Sequence, residues 1–298
     1  MAFKSGFVTI IGRPNVGKST LLNLLTGEKI AIISNKPQTT RHTIRTILTT
    51  EEYQLIFVDT PGIHKPKTKL GEFMVQEALG TFDGVDLILY MIDARDKKIG
   101  PGDSMIIGEL EKAGVPAILL INKIDMVEKS SLLPLIAQYS EAYDFDEIIP
   151  ISALDPKTKD LVLNTVKEKL PEGEKYYPED MLTDQQEKVL AQELIREKLL
   201  QLLDDEVPHG IGVEVIRFKE KEDRNIIEID ANIYCEKESH KGIIIGREGK
   251  MLKRVGTLAR QDMERLFDSK VFLQLWVKVK EDWRNSDFML NELGYKKE

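Results

Sequence analysis

Cysteine is nearly absent: Cys235 is the only one among 298 residues, alongside two tryptophans and four histidines. One thiol cannot close an internal disulfide, and these histidines and the thiol have no zinc-ligand spacing, which removes the two usual staples of small secreted folds. A reducing compartment is expected. Long apolar runs are missing as well. Phe7-Val8-Thr9-Ile10-Ile11 is cut short by Gly12, Arg13 and Pro14, below the roughly 7–15 residues of a secretory apolar segment. No later window approaches the ~18 consecutive apolar residues of a spanning helix. The expectation is a cytoplasmic, non-integral protein. A 42% hydrophobic and 31% charged composition has enough aliphatic residues to offset chain entropy and excludes disorder as the main state.

Positive charge is the minority sign, with 42 Lys and Arg against 50 Asp and Glu, net −8. Taken alone, that speaks against a nucleic-acid partner, because phosphate binding relies on clustered cations. The distribution reverses the inference. Between His240 and Lys280 ten basic residues face four acidic ones, so this window is +6 and the remainder of the chain carries −14. The protein is acidic with one basic end.

The length allows two domains. Apolar strands are predicted at Phe7–Ile11, Gln54–Val58, Val85–Ile92 and Val115–Ile121, separated by segments long enough for crossover helices. Continuous apolar runs of this kind indicate a parallel sheet buried on both faces, a doubly wound α/β domain. The stretch from Pro171 to Pro178, with two prolines and a glycine, breaks the pattern. A helix from Thr183 to about Leu203 follows, with Thr183 as N-cap and Gln186 as its capping-box partner. Strands at Val213–Phe218 and Ile226–Tyr234, two helices meeting at Gly246 and a strand at Val271–Val279 complete an α-β-β-α-α-β order. The expected division is 1–172, a linker at 173–182, and an α+β domain at 183–298.

Gly12-Arg13-Pro14-Asn15-Val16-Gly17-Lys18-Ser19 fits G-x-x-x-x-G-K-[ST] between a predicted strand and a predicted helix. Backbone N–H groups and a helix N-terminus can converge there on phosphates, Lys18 supplying a charge to the β and γ groups and Ser19 a hydroxyl for Mg²⁺. Asp59-Thr60-Pro61-Gly62 follows a strand directly and offers a carboxylate on the metal side, whereas Thr39 and Thr40, taken by themselves, read as solvated loop residues. Asn122-Lys123-Ile124-Asp125 ends another strand. The Asp125 carboxylate can accept from guanine N1–H and N2–H, an arrangement adenine cannot match. Asn122 can tie loops together, Lys123 can lie across the ring, and Ser152-Ala153 supplies a backbone N–H for the base. GTP is therefore the expected nucleotide. The position after Gly62, where many GTPases orient water with glutamine, is Ile63.

At the basic end, Gly242-Ile243-Ile244-Ile245-Gly246-Arg247-Glu248-Gly249-Lys250 places a G-x-x-G turn between two helices, where backbone can approach an RNA strand closely. Ile243, Ile244 and Ile245 are candidates for the groove floor, although one helical register cannot point all three the same way. Lys250, Lys253 and Arg254 are the phosphate candidates, and Trp276 and Trp283 can stack a base or fill core.

The four nucleotide motifs resemble those of P-loop GTPases of the translation-factor class, and Gln38-Thr39-Thr40-Arg41-His42 resembles the first switch of the Era branch. The basic end resembles a type II KH domain. Tyr177–Asp184, Glu193–Lys198, Glu206–His209, His240–Gly246, Leu275–Arg284 and Leu293–Tyr295 extend the resemblance to the Era family over essentially the whole chain. Asp155-Pro156 after Ser152-Ala153, where the family often has glycine, and Arg247 in place of the usual lysine, depart from it. The resemblance implies a Mg²⁺-dependent GTPase in which Thr40, with Thr39 as alternative, ligates the metal and senses the γ-phosphate. It implies K⁺ near Asn15, binding to the 3′ end of 16S ribosomal RNA, and assistance to assembly of the 30S subunit by a monomer with at most weak peripheral membrane contact. A nucleotide-gated RNA clamp, in which occupancy rather than cleavage matters, is the competing expectation. A tRNA-modification GTPase would carry a C-terminal cysteine, which is missing here.

Overall fold

The computed structural model describes residues 2–34, 36, 38–204, 207–221 and 225–295. Glu206, which opens one phrase of the family resemblance, lies outside them. Two compact units emerge: Met1–Ala31, Thr40–Pro66 and Met74–Asp184 form the first, and Ile32–Thr39, Lys67–Phe73 and Gln185–Glu298 the second.

In the first unit β1 (Lys4–Gly12), α1 (Lys18–Thr26), β2 (Ile44–Thr49), β3 (Tyr53–Asp59), α2 (Lys69–Gly80), β4 (Leu87–Asp93), α3 (Pro101–Ala113), β5 (Ala117–Asn122), α4 (Leu132–Ala142), β6 (Glu147–Pro150) and α5 (Lys157–Lys169) follow in order. The opening turn of α2 belongs by its contacts to the second unit. The sheet runs β2-β3-β1-β4-β5-β6. All its pairs are parallel except β2 with β3. Every residue of β4 and β5 is buried, as expected for strands covered on both faces. Leu21, Leu22 and Leu25 of α1 and Val162 and Val166 of α5 close one face. Ile106 and Leu110 of α3 and Leu135 and Tyr139 of α4 close the other. Each such aliphatic side chain contributes roughly 1.5–3 kcal/mol by leaving water. The wind places the ends of β1, β3, β4 and β5 on one carboxyl edge, where open α/β sheets bind ligands.

Two strands were not anticipated. In β2, Ile-Arg-Thr-Ile-Leu-Thr mixes polar residues into an antiparallel edge, and β6 has four residues, too short for a pattern.

The second unit adds α6 (Glu187–Leu202), β7 (Gly212–Lys221), β8 (Ile226–Cys235), α7 (Glu238–Ile245), α8 (Lys250–Leu266), β9 (Lys270–Val279) and α9 (Asp287–Glu292). The sheet order is β7-β8-β9, the first pair antiparallel and the second parallel. Ala191, Leu194, Ile195 and Leu199 of α6 and Val255, Ala259 and Met263 of α8 cover it. The expected capping box does not form. Helix α6 starts at Glu187, and the Thr183 hydroxyl instead donates to the Arg45 carbonyl at 2.6 Å, where Thr183 bridges Thr46 of β2. Among the described residues no helix is long and apolar enough to cross a membrane.

Candidate active site and nucleic-acid groove

Gly17 holds a left-handed φ of 110°, and a Cβ there would stand 2.3 Å from Asn122 Nδ2, so the loop before α1 closes only on glycine. Lys18 follows as the first residue of α1, its Nζ donating to the carbonyls of Gly12 and Arg13 at 3.1 and 3.2 Å. Burial pushes this ammonium down to about 8, with Asp59 opposing the shift. Burial likewise pushes the Asp59 carboxyl up, against the pull of Lys18 and of the Ser19 and Thr40 hydroxyls.

Those two hydroxyls converge on one carboxylate oxygen. Ser19 Oγ donates to Asp59 Oδ2 at 2.9 Å, Thr40 Oγ1 reaches the same atom at 3.4 Å, and the hydroxyls are 3.0 Å apart. Asp59 Oδ1 is fully buried without a hydrogen-bond partner. A buried carboxylate with an orphaned oxygen, beside two hydroxyls, fits a hard cation that takes oxygen ligands and keeps phosphate in its shell. Thr39 does not compete for this position: its hydroxyl donates to the Lys36 carbonyl at 2.6 Å. Gly62 is drawn to the P-loop by the bond from Ile63 N–H to the Gly12 carbonyl, at 3.1 Å. Ile63 is itself buried.

Not every motif side chain turns toward the phosphate position. Arg13 pairs with Asp96 and, at 2.9 Å, with buried Asp103. Val16 is core, and Thr60 donates to the Ile10 carbonyl at 2.8 Å, with Pro61 buried beside it. Arg13, Val16 and Thr60 thus offer backbone and shape rather than side-chain contacts to a nucleotide.

At the neighbouring strand end, Asn122 Nδ2 donates to the Val16 carbonyl at 2.7 Å, and Asn122 Oδ1 accepts the Ala153 N–H at 2.9 Å. The Ala153 N–H expected to meet the base is therefore engaged with Asn122. Asp125 is exposed, with Oδ1 accepting from Ser152 Oγ at 2.6 Å. Lys123 bridges the Asn15 carbonyl and Asp93 at 2.7 and 2.8 Å. Burial would raise the Asp93 carboxyl, but Arg95 and Lys123 hold it well below the usual carboxylate range. Asp93 belongs to no recognised motif, and only its place at the end of β4 gave a signal.

In the second unit, Gly246 and Gly249 each adopt φ near 73° around the turn between α7 and α8. The turn opens beside a groove of about 440 Å³ between α8 and β9, with Gly249, Leu252, Lys253, Gly256, Arg260 and Phe272 among its lining residues. Its apolar wall comes from Leu252, Val271, Leu273 and Leu275 rather than from the isoleucines of α7. Ile244 is wholly buried in the core and Ile243 is exposed, because successive residues of a helix turn through about 100°. Of the three phosphate candidates, Lys253 lines the groove. Lys250 pairs with Glu248 at 2.8 Å within the turn, and Arg254 is exposed on α8. Arg260, Gly256 and Phe272 were missed, since they sit one or two helical turns or a strand away from the glycine motif. Trp283 is core and donates to the Gly210 carbonyl at 2.8 Å, whereas Trp276 is exposed. Arg196 of α6 was also missed. Paired with Glu193, its guanidinium donates to the carbonyls of Gln38 and Thr39, just before Thr40, although Glu-x-x-Arg reads in sequence as an ordinary surface pair.

Comparison with known proteins gives the same two-part division of labour. A family model for 50S ribosome-binding GTPases matches residues 7–123, and a KH-domain model matches residues 206–284. The GTPase Era of Ruminiclostridium cellulolyticum is 60% identical over 296 residues, covering 99% of both chains. That of Clostridium kluyveri is 56% identical over 293 residues, covering 98% of this chain and 99% of the relative. A crystal structure of Era in complex with MgGDPNP and nucleotides 1506–1542 of 16S ribosomal RNA superposes with a TM-score of 0.93 at 41% identity, over 98% of this chain and 99% of that one. An Aquifex aeolicus Era variant bound to GDP·AlF4⁻ matches to the same extent. A phosphate loop closed by Gly17, a carboxylate that gathers two hydroxyls, and a KH turn beside its groove are thus present in one chain that belongs to the Era family of GTPases.

Proposed function

We propose that this GTPase binds the single-stranded 3′ end of 16S ribosomal RNA in the α8–β9 groove and assists maturation of the 30S subunit, with GTP as its timer. The observation that carries this is the Era structure holding MgGDPNP together with nucleotides 1506–1542 of 16S ribosomal RNA, matched over 98% of the present chain. Residues 1–172 serve as the GTPase domain, 173–182 as linker and 183–298 as KH domain, and the working form is a monomer. The basic window also suits anionic lipid. RNA is favoured because the groove joins cations to an apolar wall of a size that takes bases.

Ser19, Thr40 and Asp59 hold Mg²⁺, which when bound neutralises charge developing on the phosphate oxygens. Lys18 draws the β and γ phosphates toward the N-terminus of α1, and Asp125 selects guanine through its carboxylate. Thr40 and Gly62 report the γ-phosphate, so the loops that carry them differ between GTP and GDP. Only such differential affinity can shift a conformational equilibrium. Buried Ile63 cannot orient an attacking water, which makes unaided turnover slow and leaves room for K⁺ near Asn15 to supply charge. The same feature favours a second reading, in which occupancy rather than cleavage acts.

The test is hydrolysis and RNA affinity measured together. Faster turnover in KCl than in NaCl at equal ionic strength, with tighter binding to a 16S 3′-end oligoribonucleotide in the GTP state than in the GDP state, is expected. Equal turnover in the two salts removes K⁺. Equal RNA affinity in both nucleotide states removes the timer.

A further inference from the structure

Strand β9 alternates without interruption. Val271, Leu273, Leu275 and Val277 pack toward the core, while Lys270, Phe272, Gln274, Trp276 and Lys278 are all exposed, with Lys280 just beyond. Pleating explains the alternation but not the choice of residues. Phe272 is 55% and Trp276 42% exposed on a face where a polar side chain would satisfy the fold. Exposed aromatics rimmed by polar groups mark interaction surfaces. Strand β9 is an edge strand, paired with β8 alone. Among the described residues no ion pair holds Lys270, Lys278 or Lys280. The acidic groups in register on β8, Glu228 beside Phe272 and Asp230 beside Gln274, are paired with Arg217, and Glu228 also with Lys221. Glu214 of β7 is engaged by the Tyr234 hydroxyl and the Asn232 amide of β8, so β9 itself offers rings and cations.

Phe272 also lines the groove, so the strip is continuous with the KH site, and Trp276 stands four residues further along, about 13 Å at ~3.3 Å per residue. A strand that displays two rings on a sheet face, flanked by cations, matches the way RNA-binding sheets take unpaired bases, by stacking with little demand on sequence. We propose that the outward face of β9 is a second RNA-binding surface, on which Phe272 and Trp276 stack bases of the single strand leaving the groove while Lys270 and Lys278 meet its phosphates. The inference rests on the reading of the groove as an RNA site.

The full chain, loaded with a non-hydrolysable GTP analogue, is titrated into two fluorescein-labelled single-stranded RNAs. One has about four nucleotides, enough for the groove; the other has about twelve, from the 16S 3′ end. Trp276→Ala is expected to weaken the longer RNA by about tenfold and leave the shorter one unchanged, Phe272→Ala, which also removes part of the groove lining, to weaken both, and Trp276→Phe to restore most of the Trp276→Ala loss. Since Trp283 is fully buried, iodide-quenchable emission comes from Trp276, and the longer RNA alone is expected to shield it. Wild-type affinity of both ring variants for the longer RNA, or undiminished quenching at saturation, overturns the proposal and leaves the rings to a protein partner. The doubly reversed groove variant Lys253→Glu with Arg260→Glu separates the failures. If it weakens binding and the ring variants do not, only the second surface falls; if it binds like wild type, the groove reading falls with it.

Discussion

Lys18 shows most directly how burial prepares a residue for its ligand. With its ammonium pushed down to about 8 by desolvation, the free protein loses that charge as pH rises through 8, whereas bound phosphates favour the charged form and raise its pKa. With Lys18 fully charged below about pH 7, its contribution to nucleotide affinity is expected to be constant with pH there and to fall above pH 8, by up to tenfold per unit. Binding at pH 9 then takes up a proton. Calorimetry in two buffers of different ionisation enthalpy measures the uptake, and a value of zero contradicts the assignment. Gly17 offers a second single-residue check. Its left-handed backbone and the 2.3 Å approach of Asn122 Nδ2 mean that Gly17→Ala must both strain the loop and displace Asn122. A loss of about 1–3 kcal/mol in urea unfolding of the nucleotide-free protein is expected. Because one clash causes part of it, Asn122→Ala should recover some of the loss, and strictly additive effects in the double variant would show that the two residues are not coupled.

At the scale of elements, the apolar strands of the first sheet were legible because burial on both faces writes itself as unbroken hydrophobic sequence, and the P-loop was legible because phosphate geometry permits few residues. What escaped was decided by tertiary partners. Thr183 looks like a helix cap until β2, itself invisible as a mixed edge strand, offers its hydroxyl the Arg45 carbonyl instead. The groove wall was sought in the isoleucines beside the glycine turn, whereas α8 and β9, apart in sequence, build it. Trp283 had two possible roles, and the structure gives it one: it is buried, bonded to the Gly210 carbonyl and stacked on Tyr295 at 6.4 Å between centroids. It fastens the segment after β9 to the start of β7. Trp283→Phe should cost about 2 kcal/mol, from an unpaired buried carbonyl and a small cavity, while RNA affinity stays at the wild-type level. A tenfold loss of RNA binding with unchanged unfolding would return Trp283 to the role of a stacking base partner.

For the whole molecule, charge sets the terms on which RNA is met. The chain carries −8, and RNA is a polyanion, so at distances beyond about 10 Å at 0.1 M salt the protein as a body repels its ligand weakly or is screened from it. Attraction is confined to the +6 window from His240 to Lys280, and within it the cations do not count equally. Lys250 is already paired with Glu248, and Arg265 with Asp262 at 3.1 Å, whereas Lys253 and Arg260 line the groove. Neutralising about three phosphates of a single strand, at ~0.7 ion released per contact, gives a slope near −2 for log affinity against log salt. A tenfold rise in KCl should thus weaken RNA binding roughly a hundredfold, and Lys253→Gln should make the slope shallower by about 0.7. If total charge governed the encounter, salt would instead strengthen binding by screening repulsion. The two accounts differ in sign, so a single salt titration of the wild-type chain decides between a local electrostatic site and the net charge of the protein.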